Sequence, residues 1–349
     1  MLAWIQSLLS RDMGIDLGTA NTLVYVRGKG IVLQEPSVVA LNSHSGAVLA
    51  VGTAAKKMIG RTPGNIVALR PLKDGVIADF EATQVMLRYF VRQARARTSP
   101  LQRPLVVVAI PTGVTEVERR AVEEAALQAG ARQVFPVEEP LAAAIGAGLP
   151  IAEPRGHMVV DIGGGTSEVA VISLGGIVTY RSIRVAGDEM DEAITAYIKR
   201  AYSLAIGEQT AEWIKISLGG AYPGPRDDET VDIRGRDLLS GLPKLLKIRG
   251  GEIREALVEP VTAILDAVTV TLERTPPELA SDVIENGIVM TGGGAMLSGL
   301  DQLLTAHTGI TAIVADHPLL SVVRGAGKTV DDPRILRLVA ARSSRRSRR

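Results

Sequence analysis

The chain has 349 residues, of which 46% are hydrophobic and only 3% aromatic, so it can fill two domains of ordinary size with cores of Val, Ile, Leu and Ala. Its net charge of +1 gives no reason to expect a nucleic acid as the main partner. The absence of Cys excludes disulfides and thiolate metal sites, and it is compatible with a reducing cytoplasm.

The first predicted element is a short amphipathic helix, which we expect to form a membrane-binding segment over residues 1–10. The residues expected to enter the lipid are Leu2, Trp4, Ile5, Leu8 and Leu9. Packing of this segment on its own domain is the alternative. No apolar run reaches the ~18 residues that a membrane-spanning helix needs. A surface anchor this short is weak, so avidity within a polymer would have to strengthen it.

Strands and helices then alternate along the chain. The predicted strands are 31–41, which Pro36 interrupts, 47–51, 105–110 and 134–137. The predicted helices are 83–97, 115–129 and 141–148. Residues 105–110 form a continuous apolar run, which is typical of a strand buried on both faces of a parallel sheet. This alternation predicts an α/β fold with helices layered on sheets.

Three glycine turns follow apolar strands, at residues 15–22, 161–167 and 291–295. A turn without side chains lets backbone N–H groups approach an anion, and Asp16 and Asp161 offer hard oxygens to a hydrated divalent cation. One such turn is more often only a turn. Two copies of the pattern apolar–Asp–apolar–Gly predict two related halves facing each other across a cleft. We expect Mg²⁺ and phosphates between them, and a nucleoside at the third turn.

The later elements include one misleading motif. The pattern predicts a helix from Gly187 to about residue 202, strands of a small subdomain within 231–248, and one long amphipathic helix over 251–273. Residues 325–329, Gly-Ala-Gly-Lys-Thr, look like the end of a P-loop, but Val322 stands where that pattern needs Gly. We expect a helix end with glycine caps there instead.

The last segment, residues 341–349, is predicted to be a basic disordered tail, because its final eight residues contain five Arg. A tail of this kind can serve only solubility. It can also be attracted to anionic lipid, with about 1 kcal/mol for each basic residue near the surface. Nonspecific contact with nucleic acid is a third use.

The glycine turns and several other segments carry a family resemblance. The chain resembles the actin-like ATPase superfamily of actins, Hsp70 chaperones and sugar kinases, and within it the MreB family of bacterial actins. The segments that carry the resemblance are residues 15–22, 28–32, 35–40, 60–64, 74–80, 139–150 and 275–279. The resemblance covers the chain from about residue 12 to about residue 333.

The resemblance implies a two-domain actin-like ATPase fold, in which each domain is a sheet flanked by helices with a smaller inserted subdomain and the nucleotide lies in the interdomain cleft. Domain I would comprise residues 11–145 and about 325–340, with its small subdomain at about 32–75. Domain II would comprise residues 146–324, with its small subdomain at about 180–250.

The resemblance also assigns residues to the site, with ATP and Mg²⁺ as cofactors. Glu139 and Thr166 would position the attacking water, and Asp16 and Asp161 would hold Mg²⁺ through its waters. The other nucleotide-binding residues would be Gly18, Thr19, Ala20, Asn21, Gly163, Gly164, Gly165, Glu212, Lys215, Gly292, Gly293, Gly294 and Ala295. The chain has Glu138 where most of the family has Asp, and Trp213 where the family usually has Arg.

By the same resemblance, the chain would be an ATP-hydrolysing bacterial actin that forms double protofilaments on the inner face of the cytoplasmic membrane. It would organise cell-wall elongation and so maintain rod shape. Its partners would be further copies of itself, membrane lipid, and membrane proteins of the elongation machinery such as RodZ, MreC and MreD, with no specific nucleic acid. The alternatives are a small-molecule kinase of the same superfamily and a nucleotide-dependent scaffold without hydrolysis.

Overall fold

The computed structural model describes residues 12–96 and 103–346, with side chains as far as residue 340. The chain divides into two compact units. Unit 1 comprises Met1–Pro154, Leu174–Ile177 and Leu319–Arg349, and unit 2 comprises Arg155–Ser173 and Val178–Pro318. Within the described ranges, no helix has both the length and the apolar character needed to cross a membrane.

The strands account for the β-branched and apolar runs of the sequence. They are β1 (Met13–Leu17), β2 (Asn21–Val26), β3 (Gly30–Pro36), β4 (Val39–Asn42), β5 (Val48–Val51), β6 (Ile66–Leu69), β7 (Leu72–Lys73), β8 (Val76–Ile77), β9 (Leu105–Ile110), β10 (Gln133–Glu138), β11 (His157–Ile162), β12 (Ser167–Ser173), β13 (Gly176–Ile183), β14 (Leu204–Ala205), β15 (Thr230–Asp237), β16 (Pro243–Arg249), β17 (Ile288–Thr291) and β18 (Ala312–Val314).

The helices lie between these strands, as the alternating pattern predicts. They are α1 (Thr53–Lys56), α2 (Phe80–Ala96), α3 (Glu116–Gln128), α4 (Glu139–Ala147), α5 (Gly187–Tyr202), α6 (Glu208–Leu218), α7 (Gly250–Ala256), α8 (Val258–Glu273), α9 (Pro277–Asn286), α10 (Leu300–Thr308), α11 (Ser321–Asp331) and α12 (Pro333–Arg346). Short 3-10 turns occupy Pro225–Asp228, Gly294–Met296 and Pro318–Leu320.

The main sheet of unit 1 has the strand order β10-β9-β1-β2-β3. Strands β10, β9 and β1 run parallel, and β1, β2 and β3 pair antiparallel. Strand β9 is buried along its whole length, which confirms the prediction of a parallel strand covered on both faces. The main sheet of unit 2 repeats this order as β18-β17-β11-β12-β13, again with parallel strands on one side and the hairpin of β11 and β12 on the other. The internal repeat predicted from the two Asp–Gly turns is therefore a repeat of sheet topology.

Each unit has its own apolar core. In unit 1, helices α2 and α3 cover one face of the sheet and bury Met86, Phe90, Val122 and Ala125. The core of unit 2 joins β11, β12 and β17 to α5, α6 and α8 and contains almost no aromatic residues. Each unit also carries a three-stranded small sheet, β5-β4-β6 in unit 1 and β14-β15-β16 in unit 2.

Helices α4 and α11 of unit 1 approach each other very closely. A Cβ atom at Gly146 would lie 1.7 Å from the carbonyl oxygen of Ser321, and one at Gly325 would lie 1.8 Å from that of Ala142. On the sheet side, a Cβ atom at Gly327 would lie 2.6 Å from the ring of Tyr25. Residues 325–329 are not a P-loop, which confirms that prediction. The prediction that a helix ends there is wrong. The glycines lie inside α11, where their missing side chains allow close packing.

Three other expectations differ from the structure. The single helix expected over 251–273 is two helices, α7 and α8, which meet at Leu257. Pro260 explains the break, because proline has no N–H to donate and is tolerated only in the first turn of a helix. Residues 341–346, expected to be disordered, continue α12. Three of these six residues are Arg, which has high helix propensity. The two compact units divide the chain at 154/155 and 318/319, whereas the resemblance implies domain boundaries at 145/146 and about 324/325.

Candidate functional site

In unit 1 the first glycine turn joins β1 to β2. The N–H of Gly18 donates to the carbonyl oxygen of Asn21 over 3.1 Å, and a Cβ atom at Gly18 would lie 2.8 Å from that oxygen. The hydroxyl of Ser37 donates to the Gly18 carbonyl over 2.6 Å, and its N–H donates to the Ala20 carbonyl over 3.0 Å. Ser37 is fully buried, so the turn is held from within the protein and its backbone is fixed before any ligand binds.

The corresponding turn in unit 2 joins β11 to β12. The N–H of Gly163 donates to the carbonyl oxygen of Thr166 over 2.8 Å, the same closure as in unit 1. The carbonyl of Gly163 accepts from the N–H of Gly187 over 3.2 Å, and that of Gly164 accepts from the N–H of Asp188 over 2.7 Å. The first turn of α5 is therefore docked on the glycine turn and satisfies two of its own free N–H groups there.

Both turns stand at the carboxyl ends of parallel strands, which is the edge where α/β sheets bind their ligands. In unit 1, Asp16 pairs with Ala109, and Ala109 also pairs with Val137. Glu139, two residues beyond Val137, therefore begins α4 at the same edge as Asp16. Its side chain is buried, and it stands in the first turn of the helix.

Asp161 is the most deeply buried carboxylate of the predicted site, with an exposed fraction of 5%. It lies opposite Thr291 on the parallel strand β17, and the hydroxyl of Thr291 donates to Asp161 Oδ1 over 2.7 Å. Burial raises the pKa of Asp161 to about 6, and the Thr291 hydrogen bond acts in the opposite direction. An unpaired charge at this depth is costly, so a cation placed beside Asp161 would relieve that cost.

The third glycine turn packs on the second. Gly292 has φ of 81°, and a Cβ atom there would lie 2.2 Å from the carbonyl oxygen of Ile162. A Cβ atom at Gly294 would lie 2.2 Å from the side chain of Ile162. Both glycines are thus required by the close approach of the third turn to the end of β11, one residue before Gly163.

Helix α6 adds the predicted nucleoside-binding residues of unit 2. The ammonium group of Lys215 donates to the carbonyl oxygen of Gly187 over 2.6 Å, at the start of α5. Glu212 lies three residues earlier on the same helix and is half-buried. Through α5, the helix that carries Lys215 and Glu212 is joined to the glycine turn at Gly163 and Gly164. The structure thus brings most of the predicted residues of unit 2 into one connected group.

Comparison with known proteins identifies the family. The family model described as MreB/Mbl protein matches residues 10–337. The chain belongs to the MreB/Mbl family. It is 55% identical over 335 residues to the cell shape-determining protein MreB of Escherichia coli K12. The matched region covers 95% of this chain and 96% of the relative. It is 53% identical over 325 residues to the cell shape-determining protein Mbl of Bacillus subtilis 168, which covers 93% of this chain and 97% of that one.

Solved structures agree with this assignment. MreB5 of Spiroplasma citri bound to ADP superposes with a TM-score of 0.87 at 42% identity, over 91% of this chain and 95% of that one. The same protein bound to AMPPNP gives a TM-score of 0.86. The MamK double helical filament gives a TM-score of 0.78 at 22% identity over 92% of this chain and 98% of that one, which shows a shared fold. The predicted actin-like α/β fold of this MreB/Mbl chain is thereby confirmed.

One contact in this MreB/Mbl chain was missed at the sequence level. Thr291 was included only as the first residue of the third turn, whereas its hydroxyl binds Asp161. The sequence feature that could have indicated this contact is the position of Thr291 at the end of an apolar strand, because such a strand can lie beside the strand that carries Asp161. The residues predicted to bind the membrane, Leu2, Trp4, Ile5, Leu8 and Leu9, lie outside the described residues, as do residues 97–102.

The acidic residues of this family member suit a hydrated cation better than a direct cage. Within residues 12–96 and 103–346, no group of three or more His, Cys, Asp or Glu side chains is placed to hold a metal ion. Mg²⁺ usually keeps several waters and takes only one or two carboxylates from the protein. Asp161, buried and bound on one oxygen by Thr291, fits such an ion.

Proposed function

We propose that this chain binds and hydrolyses ATP and polymerises into membrane-associated filaments that organise cell-wall elongation and maintain rod shape. The proposal is supported by membership of the MreB/Mbl family over most of the chain and by relatives named cell shape-determining proteins. MreB5 of Spiroplasma citri, at 42% identity, has been solved with ADP and with AMPPNP, which supports binding of an adenine nucleotide here.

The observation that carries the ATP proposal is the repeated hairpin. In each unit an Asp on a central strand precedes a glycine turn. Equivalent backbone hydrogen bonds close the two turns, from the N–H of Gly18 to the carbonyl of Asn21 and from the N–H of Gly163 to the carbonyl of Thr166. Backbone N–H groups in such turns form anion-binding concavities. We propose that Gly18–Asn21 and residues 163–165 bind the phosphates of ATP, and that Glu212, Lys215 and residues 292–295 bind the nucleoside.

We propose that hydrolysis proceeds by in-line attack of water on the γ-phosphate. Glu139 and Thr166 orient the attacking water, and the backbone of the two turns stabilises charge on the phosphoryl oxygens. Asp16 and Asp161 would hold Mg²⁺ through its waters. When bound, this ion neutralises part of the phosphate charge. Glu139 suits its role because it stands at the ligand-binding edge of the sheet and on the first turn of a rigid helix.

Filament formation and attachment to the membrane are further parts of the proposal. The MamK filament supports self-association as a use of this fold. We propose that the segment over residues 1–10 attaches the polymer to the inner face of the cytoplasmic membrane, where its partners would include RodZ, MreC and MreD. ATP hydrolysis would change the relative stability of subunit conformations and so regulate the polymer.

The direct test combines two measurements on the purified full chain with Mg²⁺ and anionic liposomes. Phosphate release and sedimentable polymer should both depend on ATP. A polymer without phosphate release would favour the nucleotide-dependent scaffold. Phosphate transfer to a member of a small-molecule panel, without polymer, would favour a kinase of the same superfamily. Absence of both polymer and phosphate release over a broad protein concentration range would overturn the proposal.

A further inference from the structure

A buried ion pair joins the two helices next to the glycine turn of unit 2. Lys215 Nζ on α6 lies 2.9 Å from Asp191 Oδ1 on α5. Only 10% of the Asp191 side chain and 17% of the Lys215 side chain are exposed. The same ammonium donates to the carbonyl oxygen of Gly187, so it bridges two points one helical turn apart on α5.

This arrangement restricts Lys215 strongly. A lysine side chain has four rotatable bonds and, without partners, places its ammonium over a wide volume. Two partners from one helix, a carboxylate at ion-pair distance and a carbonyl that accepts a hydrogen bond, restrict its position. Gly187 is also the residue whose N–H donates to the Gly163 carbonyl, and Lys215 Nζ lies 3.4 Å from where a Cβ atom of Gly187 would be. Lys215 therefore lies directly behind the contact between α5 and the glycine turn.

We propose that Asp191 is a positioning residue for nucleotide binding: it fixes the Lys215 ammonium against the start of α5, and so sets the relation between the nucleoside-binding helix α6 and the phosphate-binding turn at Gly163. This inference rests on the proposed function, because it assigns Asp191 a role toward the same ATP. Asp191 itself acts only through Lys215.

The charge state of Asp191 makes the effect of the pair on ADP affinity depend on pH. A merely structural role for Asp191 would not produce that dependence. Burial raises the pKa of Asp191 to about 6, the Lys215 ammonium opposes that rise, and the charges of Glu212 on α6 and Asp188 on α5 add to it. Above that pKa the carboxylate is charged and holds Lys215. As the pH falls through about 6 it becomes neutral, and its hold on the ammonium weakens.

The experiment compares the full chain with its Asp191→Asn variant in binding of ADP at pH 7.5. We expect about tenfold weaker binding in the variant, because the ammonium loses its charged partner. The matched control is Asp227→Asn, which removes the carboxylate of another ion pair of unit 2, that of Asp227 with Arg254. Asp227→Asn should lower stability and leave ADP affinity within about twofold.

Two further readouts isolate the positioning role. The ratio of wild-type to Asp191→Asn affinity should fall toward one as the pH is lowered from 7.5 to 5.5, and this ratio cancels the protonation of ADP itself. In a Lys215→Met background, Asp191→Asn should cause no further loss of affinity. If Asp191→Asn does not fold, Lys215→Met alone tests the inference. Its loss of ADP affinity relative to wild type should then become smaller as the pH is lowered from 7.5 to 5.5.

The outcomes separate the inference from the function on which it rests. If the wild-type chain does not bind ADP, the proposed function fails. If the wild type binds ADP and Asp191→Asn binds it equally well at pH 7.5, the positioning role is overturned. The role is equally overturned if Asp191→Asn weakens binding by the same factor with Lys215 present or replaced, because Asp191 would then not act through Lys215.

Discussion

The hydroxyl of Thr291 donates a 2.7 Å hydrogen bond to Asp161, across the parallel pair of strands that leads into two of the three glycine turns. Both residues are buried, Thr291 completely. The bond therefore gives an otherwise desolvated carboxylate its orientation. It also ties the end of β17, before the third turn, to the end of β11, before the second.

We expect Thr291→Val, which keeps the shape and removes the hydroxyl, to lower the free energy of unfolding by about 1–3 kcal/mol, because Asp161 loses a buried partner. We also expect Mg²⁺-dependent nucleotide affinity to fall about tenfold. Chemical denaturation and nucleotide titration measure the two effects. Thr291→Ser keeps the donor and should retain most of both properties. A loss in the Ser variant without a loss in the Val variant would mean that the methyl group, not the hydroxyl, matters.

Glu139 provides the test of hydrolysis. Glu139→Gln keeps the size of the side chain and removes the charge that we propose orients the attacking water. We expect the rate of phosphate release to fall about 100-fold, while nucleotide affinity changes only a few-fold. The control is its neighbour Glu138→Gln, at the end of β10, which should hydrolyse ATP at nearly the wild-type rate. If Glu138→Gln is the inactive variant, the family motif has been aligned to the wrong carboxylate.

Local sequence patterns were sufficient to predict the two hairpins. Apolar β-branched residues on either side of a glycine turn predict a strand, a turn and a returning strand, and both hairpins have that form. The continuous apolar run at 105–110 likewise predicted a parallel strand, because only burial on both faces tolerates it. These features depend on residues close together in the chain.

Features that depend on distant segments were not predictable in the same way. Asp191 belongs to no recognisable sequence motif. Its ion pair with Lys215 forms only because the fold brings α6 beside α5. The glycines at 325 and 327 have the spacing of caps, and only the approach of α4 and of Tyr25 shows that they are packing positions. Glycine signals that a side chain is absent, without indicating whether a turn, a ligand or another helix requires its absence.

The crossing of α4 and α11 provides a stability prediction. Gly325→Ala would place a Cβ atom 1.8 Å from the backbone of Ala142, and a backbone atom cannot move aside as a side chain can. We expect a loss of roughly 3 kcal/mol or more in the free energy of unfolding. Gly251→Ala, in helix α7, is the matched control, because its Cβ atom would meet neighbours at an ordinary 3.5 Å. It should be neutral or stabilising by up to about 1 kcal/mol. Similar losses in both variants would show that helix propensity, not the crossing, decides the outcome.

Membrane attachment is predicted from the sequence of the two ends of the chain. We expect that removal of residues 1–10 abolishes co-pelleting with anionic liposomes, while polymer still forms in solution, because the amphipathic pattern of that segment predicts that it is the anchor. Removal of residues 342–349 should have a smaller effect. If only the second deletion reduces co-pelleting, attachment is electrostatic and should weaken as salt is raised from 0.05 to about 0.5 M. The sedimentation of each variant without liposomes is the control.

The contacts of Lys328 provide a test of whether residues 325–329 serve helix packing or act as the P-loop that their sequence resembles. Its ammonium donates to the carbonyl oxygens of Ile145 over 2.9 Å and Gly146 over 3.3 Å, at the end of α4. A cation stabilises a helix at this end, because the last carbonyls are unpaired and carry partial negative charge. Lys328→Met should therefore lower the free energy of unfolding by about 1 kcal/mol and leave nucleotide affinity unchanged. In a P-loop the lysine contacts the phosphates directly, so the same substitution would abolish nucleotide binding without this loss of stability. Thermal unfolding in the absence of nucleotide, followed by nucleotide titration of the same sample, separates the two results.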